Sequence, residues 1–577
     1  MNLEYLDTDI LIFGAGGAGL LAAVHAHERS PRLRIVVVVK GLMGQSGCTR
    51  MVQGGYNAVL NSADSLENHF YDTVKGGAYL NDQELAWTLV EDAPKRILEL
   101  ENRLGCIFDR NDDGTIHQKA FAGQSFDRTI HKGDLTGIEI MSNLRDYILE
   151  QEEIFVLEDA RGLDLLLSES RIIGALVLNM RTGGFLVVRS KATLVATGAA
   201  ATMYKISSPS LEKSGDGMAM AWRAGAAFAD MEMVQFHPTG LLVGNSIATG
   251  GLLEEGLRGA GARLFNGRNE RYMSLYDPAR MERATRDVIS RSSYLEIAAG
   301  RGTEHGGVLI DASHLDEEFL LRNFPGMVER CRTYGFDLLH HPVEVSPSAH
   351  YQMGGICIDV NCHTNLEALF AAGEDAGGVH GANRLGGNGV ADSIVYGARA
   401  GDSMVEYVAA SRLYEVSPTQ IRKLAEEWSQ SLVRSEGENP FGLRREFESL
   451  MWEKVGIVRS EQGLHEALAG LAELRERTRR VKAVGEPVFN SEWGEAINLA
   501  NLAIVAEMVA HSALCRRESR GAHYRSDFPQ SSPQWLKRIH LRPGGNGAMK
   551  LSVLPIEWTR LTPPELSTSQ AREGGYA

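Results

Sequence analysis

The segment from Ile10 to Val24 contains the residues whose spacing points most directly to a chemical task. Gly14, Gly16 and Gly19 form a G-x-G-x-x-G turn between a short apolar stretch and a helical pattern. In such a turn the first glycine permits the tight bend, the second lets a pyrophosphate approach the backbone, and the third lets helix and strand pack closely. The helix N-terminus adds a partial positive charge. The sequence therefore predicts dinucleotide binding at this turn.

Three further stretches supply the elements that would position the turn. Arg34 to Lys40 (RIVVVVK) and Ser190 to Ala200 (SKATLVATGAA) are predicted to be buried strands, and Asn365 to Gly389 is a strand that continues into a Gly-rich segment and a helix. Because these pieces lie far apart in the chain, we expect a nucleotide-binding domain interrupted by an insertion. The second strand ends in Lys40 and not in the acidic residue that usually binds the ribose, which disfavours NAD.

Composition excludes several other classes of function. The 577-residue chain has a formal net charge of −15, which disfavours nucleic acid and anionic membrane surfaces as partners. Its six cysteines are scattered without a C-x-x-C pair, so we expect no disulfide framework, iron–sulfur cluster or other metal site in this chain. No export signal is visible at the N-terminus, and glycines interrupt the apolar run at Ile10 to Val24. We therefore expect a cytoplasmic protein without direct membrane insertion.

The remaining chain divides into three kinds of segment. The insertion, about Phe236 to Ser346, is rich in Gly and Arg and of mixed polarity, which suits a lid over a ligand. From Ser417 to His511 apolar residues recur at helical spacing. The tail after Arg542 is punctuated by Pro and Gly, and it is predicted to be a peripheral extension.

Nine motifs then identify a family. In chain order they are GAGGAG, MVQGG, YDTVKGG, SGDGMAMAWRAGA, MEMVQFHPTG, RDVISRS, HYQMGGI, AAGEDAGGVHGANRLGGNG and ALCRRESRGAHYRSDFPQ. From about Asp9 to Leu536 the chain resembles the flavoprotein subunit of the succinate dehydrogenase/fumarate reductase family, to whose superfamily L-aspartate oxidase also belongs. The resemblance implies an α/β fold with FAD. A Rossmann-like FAD-binding domain (1–235 and 347–416) would be interrupted by an α+β capping domain (236–346), followed by a helical domain (417–530) and a C-terminal extension (531–577).

The resemblance also implies a catalytic site between the flavin and the cap. Reducing a C=C bond conjugated to a carboxylate requires a hydride donor on one face, a proton donor on the other, and cations that hold the carboxylate. Arg286 is similar to the family's general acid, and Glu255 and Arg258 are similar to its proton relay. The implied substrate-binding residues are His237, His350, Arg384 and Phe121. Other interpretations stay open: an Arg286–Asp287 ion pair, a structural His237, Arg384 serving the flavin, and Phe121 as packing.

The implied FAD-binding residues extend over the whole nucleotide domain. They are Gly14, Gly16, Gly17, Ala18, Gly19, Lys40, Ser46, Cys48, Thr49, Gln53, Gly54, Gly55, Thr197, Gly198, Asp216, Glu374, His380, Gly389 and Val390. Cys48 stands where membrane-bound relatives carry a flavin-linked histidine. A cysteine could form an 8α-thioether, but we expect noncovalent FAD, as in the family's soluble reductases and in L-aspartate oxidase. Loss of the covalent link favours the reductive direction.

Two departures from the family pattern bear on the substrate. Glu254 stands where the family has a threonine that helps to hold a substrate carboxylate, and Ala260 replaces the second glutamate of the family's RGEGG. A carboxylate at Glu254 would repel an anion unless it is protonated or turned away. Either Glu254 points outward, or the far end of the ligand is an amine or a hydroxyl.

The sequence thus predicts a flavoprotein subunit of the succinate dehydrogenase/fumarate reductase type. It would interconvert a C4-dicarboxylate-like acid and its α,β-unsaturated form, with electrons exchanged through an iron–sulfur partner subunit, which could also hold it at a membrane. Three alternatives remain: a soluble L-aspartate oxidase-like enzyme, a reductase of a related unsaturated acid, and a flavin-binding electron-transfer module without enzymatic activity.

Overall fold

The computed structural model describes residues 3–545 and 548–564. The strands in these ranges are β1 Leu3–Asp7, β2 Ile10–Phe13, β3 Ile35–Val38, β4 Tyr56–Asn57, β5 Gln118–Lys119, β6 Thr129–Ile130, β7 Ile154–Leu157, β8 Ala160–Ser168, β9 Arg171–Asn179, β10 Gly184–Arg189, β11 Ala192–Val195, β12 Phe228–Ala229, β13 Val234–Leu241, β14 Arg263–Phe265, β15 Val308–Asp311, β16 Val343–Gln352, β17 Gly355–Ile356, β18 Leu369–Ala371, β19 Lys537–Pro543 and β20 Met549–Pro555.

The α-helices lie between these strands and after them. They are α1 Gly17–Arg29, α2 Leu66–Gly76, α3 Gln83–Asn102, α4 Thr136–Leu149, α5 Asp216–Ala224, α6 Glu255–Gly259, α7 Met273–Tyr276, α8 Arg286–Glu296, α9 Glu317–Asn323, α10 Pro325–Thr333, α11 Asn388–Ala409, α12 Pro418–Val433, α13 Pro440–Lys454, α14 Glu461–Thr478 and α15 Ser491–Cys515.

A five-stranded parallel sheet, in the order β18-β11-β2-β3-β7, forms the centre of the nucleotide-binding fold. Its inner strands are fully buried apolar runs, as expected for a parallel sheet covered on both faces. Helices α1 and α11 pack closely beside it: a Cβ on Gly397 would lie 2.5 Å from the Ala18 carbonyl oxygen, and one on Gly401 2.5 Å from that of Ala22. The predicted Rossmann-like architecture is confirmed.

The capping region is built on the antiparallel sheet β13-β16-β15-β14, with helices α6 to α10 around it. It has an apolar core of its own, which includes Leu257, Ile289 and Val345. Strand β13 begins at Val234 and β16 continues to Gln352, so both long strands cross the expected limits at 236 and 346. The cap is therefore joined to the nucleotide domain through two paired strands and not through flexible linkers.

The helices after residue 417 begin where side-chain caps are available. Ser417, Asn439, Ser460 and Asn490 each accept hydrogen bonds from backbone N–H groups in the first turn of α12, α13, α14 and α15. Among the described residues, only α15 is long and apolar enough to cross a membrane, and 72% of its most apolar window is buried inside the protein.

The segment after residue 530 differs from the expected peripheral extension. Strand β19 pairs with β12 of the nucleotide domain and with β20, forming the sheet β17-β12-β19-β20. Ile539 and Leu541 are buried, and Arg538 binds Asp230 at 2.7 Å. The hairpin is therefore an integral part of the fold. The expected extension continues to residue 577, and its residues 565–577 lie outside the described ranges.

Candidate active site

A cavity of about 1790 Å³ opens where the carboxyl ends of the parallel strands meet the cap and helix α13. This edge of a parallel α/β sheet is the usual place for a ligand. The cavity wall contains all but three of the residues selected from the sequence: Gly14, Gly16, Gly17, Ala18, Lys40, Ser46, Cys48, Thr49, Gln53, Gly54, Gly55, Phe121, Thr197, Gly198, Asp216, His237, Glu254, Glu255, Arg286, His350, Glu374, Arg384, Gly389 and Val390.

The three exceptions lie behind this wall and support it. A Cβ on Gly19 would lie 1.9 Å from the Gly14 carbonyl oxygen, so this glycine allows helix and strand to approach. His380 is buried against Tyr351, whose hydroxyl is 3.3 Å from its Nε2 atom. Arg258 is fully buried, and its NH1 group donates to the Glu282 carbonyl at 2.8 Å. These residues can act only through their neighbours.

The Gly-rich turn forms a cradle for a dinucleotide. Gly14 has φ +105°, and a Cβ there would lie 2.1 Å from the Ala196 carbonyl oxygen, so only glycine fits. Gly16 lies in the cavity wall at the start of α1, and the Gly17 N–H donates to Thr49 Oγ1 at 3.0 Å. Small residues and a helix N-terminus leave room and positive charge for a pyrophosphate. The cradle therefore fits FAD.

Two clusters of hydrogen bonds and ion pairs fix some of the polar residues of this wall, one around Lys40 and one around Thr197. Lys40 Nζ donates to Ser214 Oγ at 2.6 Å and lies 3.5 Å from Asp216. Burial and the charge of Arg161 lower the pKa of Lys40 to about 8, whereas Asp216 keeps a lowered pKa because Arg161 and Lys40 outweigh its burial. The turn at Thr197 is held by the buried Asp375 carboxylate, which accepts from Thr197 Oγ1 at 2.8 Å.

Cys48 has a half-buried side chain in the cavity wall, and its Sγ atom accepts a hydrogen bond from the Ser210 N–H at 3.3 Å. Burial raises the pKa of the thiol, and the charge of Lys213 opposes this only in part, since Lys213 is paired with Glu374 at 2.6 Å. The thiol is therefore neutral at pH 7. Neutral thiols are weak nucleophiles.

Arg286 is the first residue of α8 and forms a buried ion pair with Glu255. Its Nε donates to Glu255 Oε2 at 2.7 Å, and its NH1 donates to Gln235 Oε1 at 3.2 Å. Burial opposes ionisation of Glu255, but the charges of Arg286 and Arg258 outweigh it and lower the pKa of Glu255. Asp287 accepts instead from the Asn383 amide at 3.1 Å, so the structure does not favour an Arg286–Asp287 pair.

Arg384 lies beside Arg286 and shares a partner with it. Its NH2 group donates to Gln235 Oε1 at 3.2 Å, and its guanidinium stacks 4.3 Å from the Tyr351 ring centroid. The Nε atom is buried without a hydrogen-bond partner within the described part of the chain. Burial, followed by the charge of Arg286, lowers the pKa of Arg384 to about 10, so it stays charged at neutral pH. An unsatisfied donor on a charged group suits an anionic ligand.

His237 and His350 both line the cavity and contact each other edge to face, with ring centroids 5.5 Å apart. Burial, with the charge of Arg286 for His237 and of Arg384 for His350, lowers both pKa values well below the usual range. Both rings are therefore neutral at pH 7. Because His237 Nδ1 accepts from the Thr239 N–H at 3.3 Å, its proton is on Nε2, which can donate to a ligand.

Phe121 and Glu254 form the wall on the side of Gly54. A Cβ on Gly54 would lie 2.5 Å from Phe121 Cζ and 3.8 Å from Glu254 Oε1, so both side chains pack on this glycine. Glu254 is 5% exposed, and its Oε1 accepts from Lys119 Nζ at 2.8 Å. It therefore does not point outward to solvent. An outward-pointing Glu254 was one explanation that the sequence offered for a glutamate here; a ligand whose far end is an amine or a hydroxyl stays a prediction.

Sequence reasoning missed four residues that complete the site. Gln235 bridges Arg286 and Arg384, Tyr351 stacks on Arg384, Lys119 neutralises Glu254, and Ser208 lies 2.8 Å from His350 Nδ1. Gln235 and Tyr351 lie within the motifs MEMVQFHPTG and HYQMGGI, next to selected histidines, and could have been found there. No local signal joins Lys119 or Ser208 to its partner.

The fold and the glycine cradle define a flavin-binding protein, and comparisons with known proteins give its family. Residues 9–390 match the model of the FAD binding domain, and residues 444–569 match that of the fumarate reductase flavoprotein C-terminus. The chain is 44% identical to an FAD-dependent oxidoreductase of Methanocaldococcus jannaschii over 93% of its length and 96% of that protein. It is 42% identical to one subunit of the fumarate reductase (CoM/CoB) of Methanothermobacter marburgensis, over 94% of its length and 98% of that relative.

A solved structure gives the same result. The flavoprotein chain of Escherichia coli quinol fumarate reductase, in a variant form, is similar with a TM-score of 0.92 at 33% identity, covering 97% of this chain and 98% of that one. The chain belongs to the succinate dehydrogenase/fumarate reductase flavoprotein family. It is an FAD-dependent oxidoreductase that acts on a CH–CH group, which excludes the electron-transfer module without enzymatic activity.

Proposed function

We propose that this chain interconverts a saturated carboxylic acid of C4-dicarboxylate type and its α,β-unsaturated form, and exchanges electrons with an iron–sulfur partner subunit. One observation carries the proposal. Arg286, Arg384, His237 and His350 converge on a single cavity that is continuous with the glycine cradle. Such a cavity can bind a carboxylate and a dinucleotide in contact with each other.

The chain itself supplies binding and proton transfer, and FAD, when bound, supplies the two-electron chemistry. Arg384 and the neutral histidines donate hydrogen bonds to a substrate carboxylate, which orients and polarises the neighbouring C=C bond. Arg286 delivers a proton to the substrate carbon. Arg286 is a strong base once it has given up its proton, so Glu255, 2.7 Å away, takes up a proton from solvent water and passes it to Arg286. Arg258 assists by keeping Glu255 ionised between turnovers.

The domain division serves this chemistry. We propose that residues 236–346 act as a cap, because they provide His237, Glu255 and Arg286 while the nucleotide domain provides Arg384. Closure of such a cap would bring the two sets together and exclude water from the site. The Gln53 amide links the two sides: its oxygen accepts from Arg330 of α10 at 2.8 Å and 2.9 Å when it is oriented towards the guanidinium.

Two features of the cofactor and partner belong to the same proposal. We propose noncovalent FAD, because the candidate nucleophile at the expected position, Cys48, is a half-buried, neutral thiol. An iron–sulfur partner is supported by relatives that are parts of larger enzymes, such as the subunit of the CoM/CoB enzyme and the quinol fumarate reductase chain. The six scattered cysteines of this sequence offer no C-x-x-C pair for a cluster of its own.

The test uses the purified chain with bound FAD under anaerobic conditions. Dithionite-reduced protein is mixed with fumarate, and oxidised protein with succinate, while the flavin absorbance is followed. We expect fumarate or a close structural analogue to reoxidise the flavin. Reduced flavin that is stable towards every four-carbon unsaturated acid would contradict the proposal. Iron analysis of the complex purified from its native source tests the partner separately.

A second candidate is an L-aspartate oxidase-like enzyme or a reductase of a related unsaturated acid. One observation favours it: the buried Glu254 carboxylate lines the cavity, where it would suit an amine or a hydroxyl. Reduction of the oxidised flavin by aspartate, but not by succinate, would identify the oxidase.

A further inference from the structure

The ion pair between Lys119 and Glu254 lies at the cavity wall and is separate from the Arg286–Glu255 pair. Lys119 ends β5 of the nucleotide domain, whereas Glu254 precedes α6 of the cap. Lys119 Nζ donates to Glu254 Oε1 at 2.8 Å, with 4% of the Glu254 side chain and 23% of the Lys119 side chain exposed. Glu254 lines the cavity, whereas Lys119 does not. A ligand therefore meets the carboxylate and not the ammonium.

The second oxygen of Glu254 is a buried acceptor without a donor. Oε2 has no hydrogen-bond partner among residues 3–545 and 548–564, although Lys119 satisfies Oε1. Buried carboxylate oxygens normally accept hydrogen bonds, and leaving one without a donor is unfavourable. A ligand that brings an N–H or O–H group to this wall removes that deficit. A ligand that brings a second carboxylate places two acceptors together.

The charges also differ between the surroundings of the two ion pairs. At the Arg286 side, three guanidinium groups (Arg258, Arg286 and Arg384) surround one carboxylate, Glu255, and both histidines are neutral. At the other side, Lys119 and Glu254 cancel. The cavity thus has excess positive charge for one carboxylate at one side, whereas the Lys119–Glu254 pair provides no such excess at the other.

We propose that Lys119 and Glu254 together determine specificity, so that the site prefers an unsaturated acid whose end at Glu254 is a hydrogen-bond donor, such as an amide, amine or hydroxyl, over a second ionised carboxylate. The inference rests on the proposed function, since it assumes that the Arg286 side holds the first carboxylate. Glu254 is the group that meets the ligand. Lys119 is a positioning residue that pairs with Oε1 and leaves Oε2 free to accept.

The test compares fumarate with its monoamide, which has the same carbon skeleton and double bond but replaces one carboxylate by an amide. Dissociation constants are measured on the FAD-loaded protein from the flavin spectrum, and anaerobic reoxidation of reduced flavin shows turnover. We expect the wild-type protein to bind the monoamide at least ~10-fold more tightly than fumarate. Glu254→Thr should shift this ratio by a similar factor towards fumarate, because it replaces a charged acceptor with a hydroxyl donor.

Lys119→Met separates positioning from a general structural effect. In the wild-type background, Lys119→Met removes the donor that holds Glu254 Oε1, so Glu254 is no longer held with Oε2 free to accept and the ratio should shift towards fumarate. In the Glu254→Thr background, the same change removes an uncompensated cation, so the ratio should shift towards the monoamide. A loss of packing would shift the ratio in the same direction in both backgrounds, so shifts in opposite directions cannot come from it. Lys119→Arg should keep the wild-type ratio.

The possible outcomes separate the specificity assignment, the role of Lys119 and the proposed function. FAD content and thermal midpoint show that every variant is folded. If the wild-type protein turns over fumarate but Glu254→Thr leaves the ratio of the two dissociation constants unchanged, the specificity assignment is overturned. The proposed function then stays intact. A Lys119→Met effect of the same sign in both backgrounds overturns the role of Lys119. If neither acid binds or reoxidises the flavin, the proposed function and this inference both fail.

Discussion

Arg286 and Glu254 lie in the wall of the same cavity, and each forms one short ion pair, but the two pairs leave different groups unsatisfied. The Arg286–Glu255 pair is enclosed by further donors: Arg384, Arg258 and the neutral histidines. The Lys119–Glu254 pair leaves one buried acceptor. In a buried site an unsatisfied donor attracts an anion, and an unsatisfied acceptor attracts a donor. The comparison supports the proposal that the cavity binds a carboxylate at the Arg286 cluster.

The largest effect is expected at the Arg286 side. Arg286→Gln removes the proton donor but leaves Arg384 and the histidines, so FAD and substrate-like acids should still bind while kcat falls by at least ~100-fold. Stopped-flow measurement of flavin reoxidation gives the rate of the chemical step. Arg283→Gln is the matched control, because Arg283 lies three residues earlier and is exposed. Near-normal turnover in Arg286→Gln would remove this residue from the mechanism.

A variant of Arg258 tests whether Arg258, Glu255 and Arg286 act together in proton transfer. Arg258 does not line the cavity, and it touches the reaction only through Glu255 and Arg286. Arg258→Gln should lower kcat by about 10-fold with little change in substrate binding, because one positioned proton-transfer group contributes less when its neighbours remain. Arg271→Gln serves as the control, since Arg271 pairs with Glu282, which also contacts Arg258, but lies outside the cavity. Equal kcat values in both variants would contradict the relay.

These two sides also show what a sequence can and cannot predict. The Gly14 turn was predictable because its φ angle and the close approach of Ala196 require glycine locally. Arg286 and His237 were predictable because their motifs fix their neighbours along the chain. The Lys119–Glu254 pair joins residues 135 positions apart, in two different domains, and no local pattern encodes such a contact. Strand β19 was also missed. Its partner β12 lies far earlier in the chain and has only two residues, too few to show a strand pattern.

The neutral histidines of the Arg286 side should appear in the pH dependence of stability. Burial lowers the pKa of His237 and His350, whereas in the unfolded chain a histidine titrates near ~6.5. Below that pH the unfolded chain binds protons that the folded chain does not, so the free energy of unfolding falls as the pH falls. Each such histidine contributes up to about 1.4 kcal/mol per pH unit.

Urea unfolding of the FAD-loaded protein at several pH values between about 6.5 and 5.5, just below the usual histidine pKa, measures this slope. His237→Asn should make the slope shallower, because one depressed histidine is lost. His305→Asn is the control, since His305 is exposed and its contact with Glu344 raises its pKa, so its removal should not make the decrease at low pH shallower. If His237→Asn leaves the slope unchanged, then His237 is not held neutral in the folded protein.

Cys48 should produce the smallest effect, because it belongs to neither polar side. Its Sγ only accepts one hydrogen bond from the Ser210 N–H, and a serine hydroxyl can accept the same bond. Cys48→Ser should therefore change the FAD dissociation constant by less than about threefold, which is under 1 kcal/mol.

Acid precipitation of the wild-type protein should release the yellow flavin into the supernatant. The half-buried, neutral thiol gives the reason, since bond formation to a flavin would require the thiolate, which partial burial disfavours here. Flavin that stays with the wild-type pellet but is released from Cys48→Ser would show that the bond exists despite that burial. The charge of Lys213 would then have to be what stabilises the thiolate, and Lys213→Met should abolish the attachment.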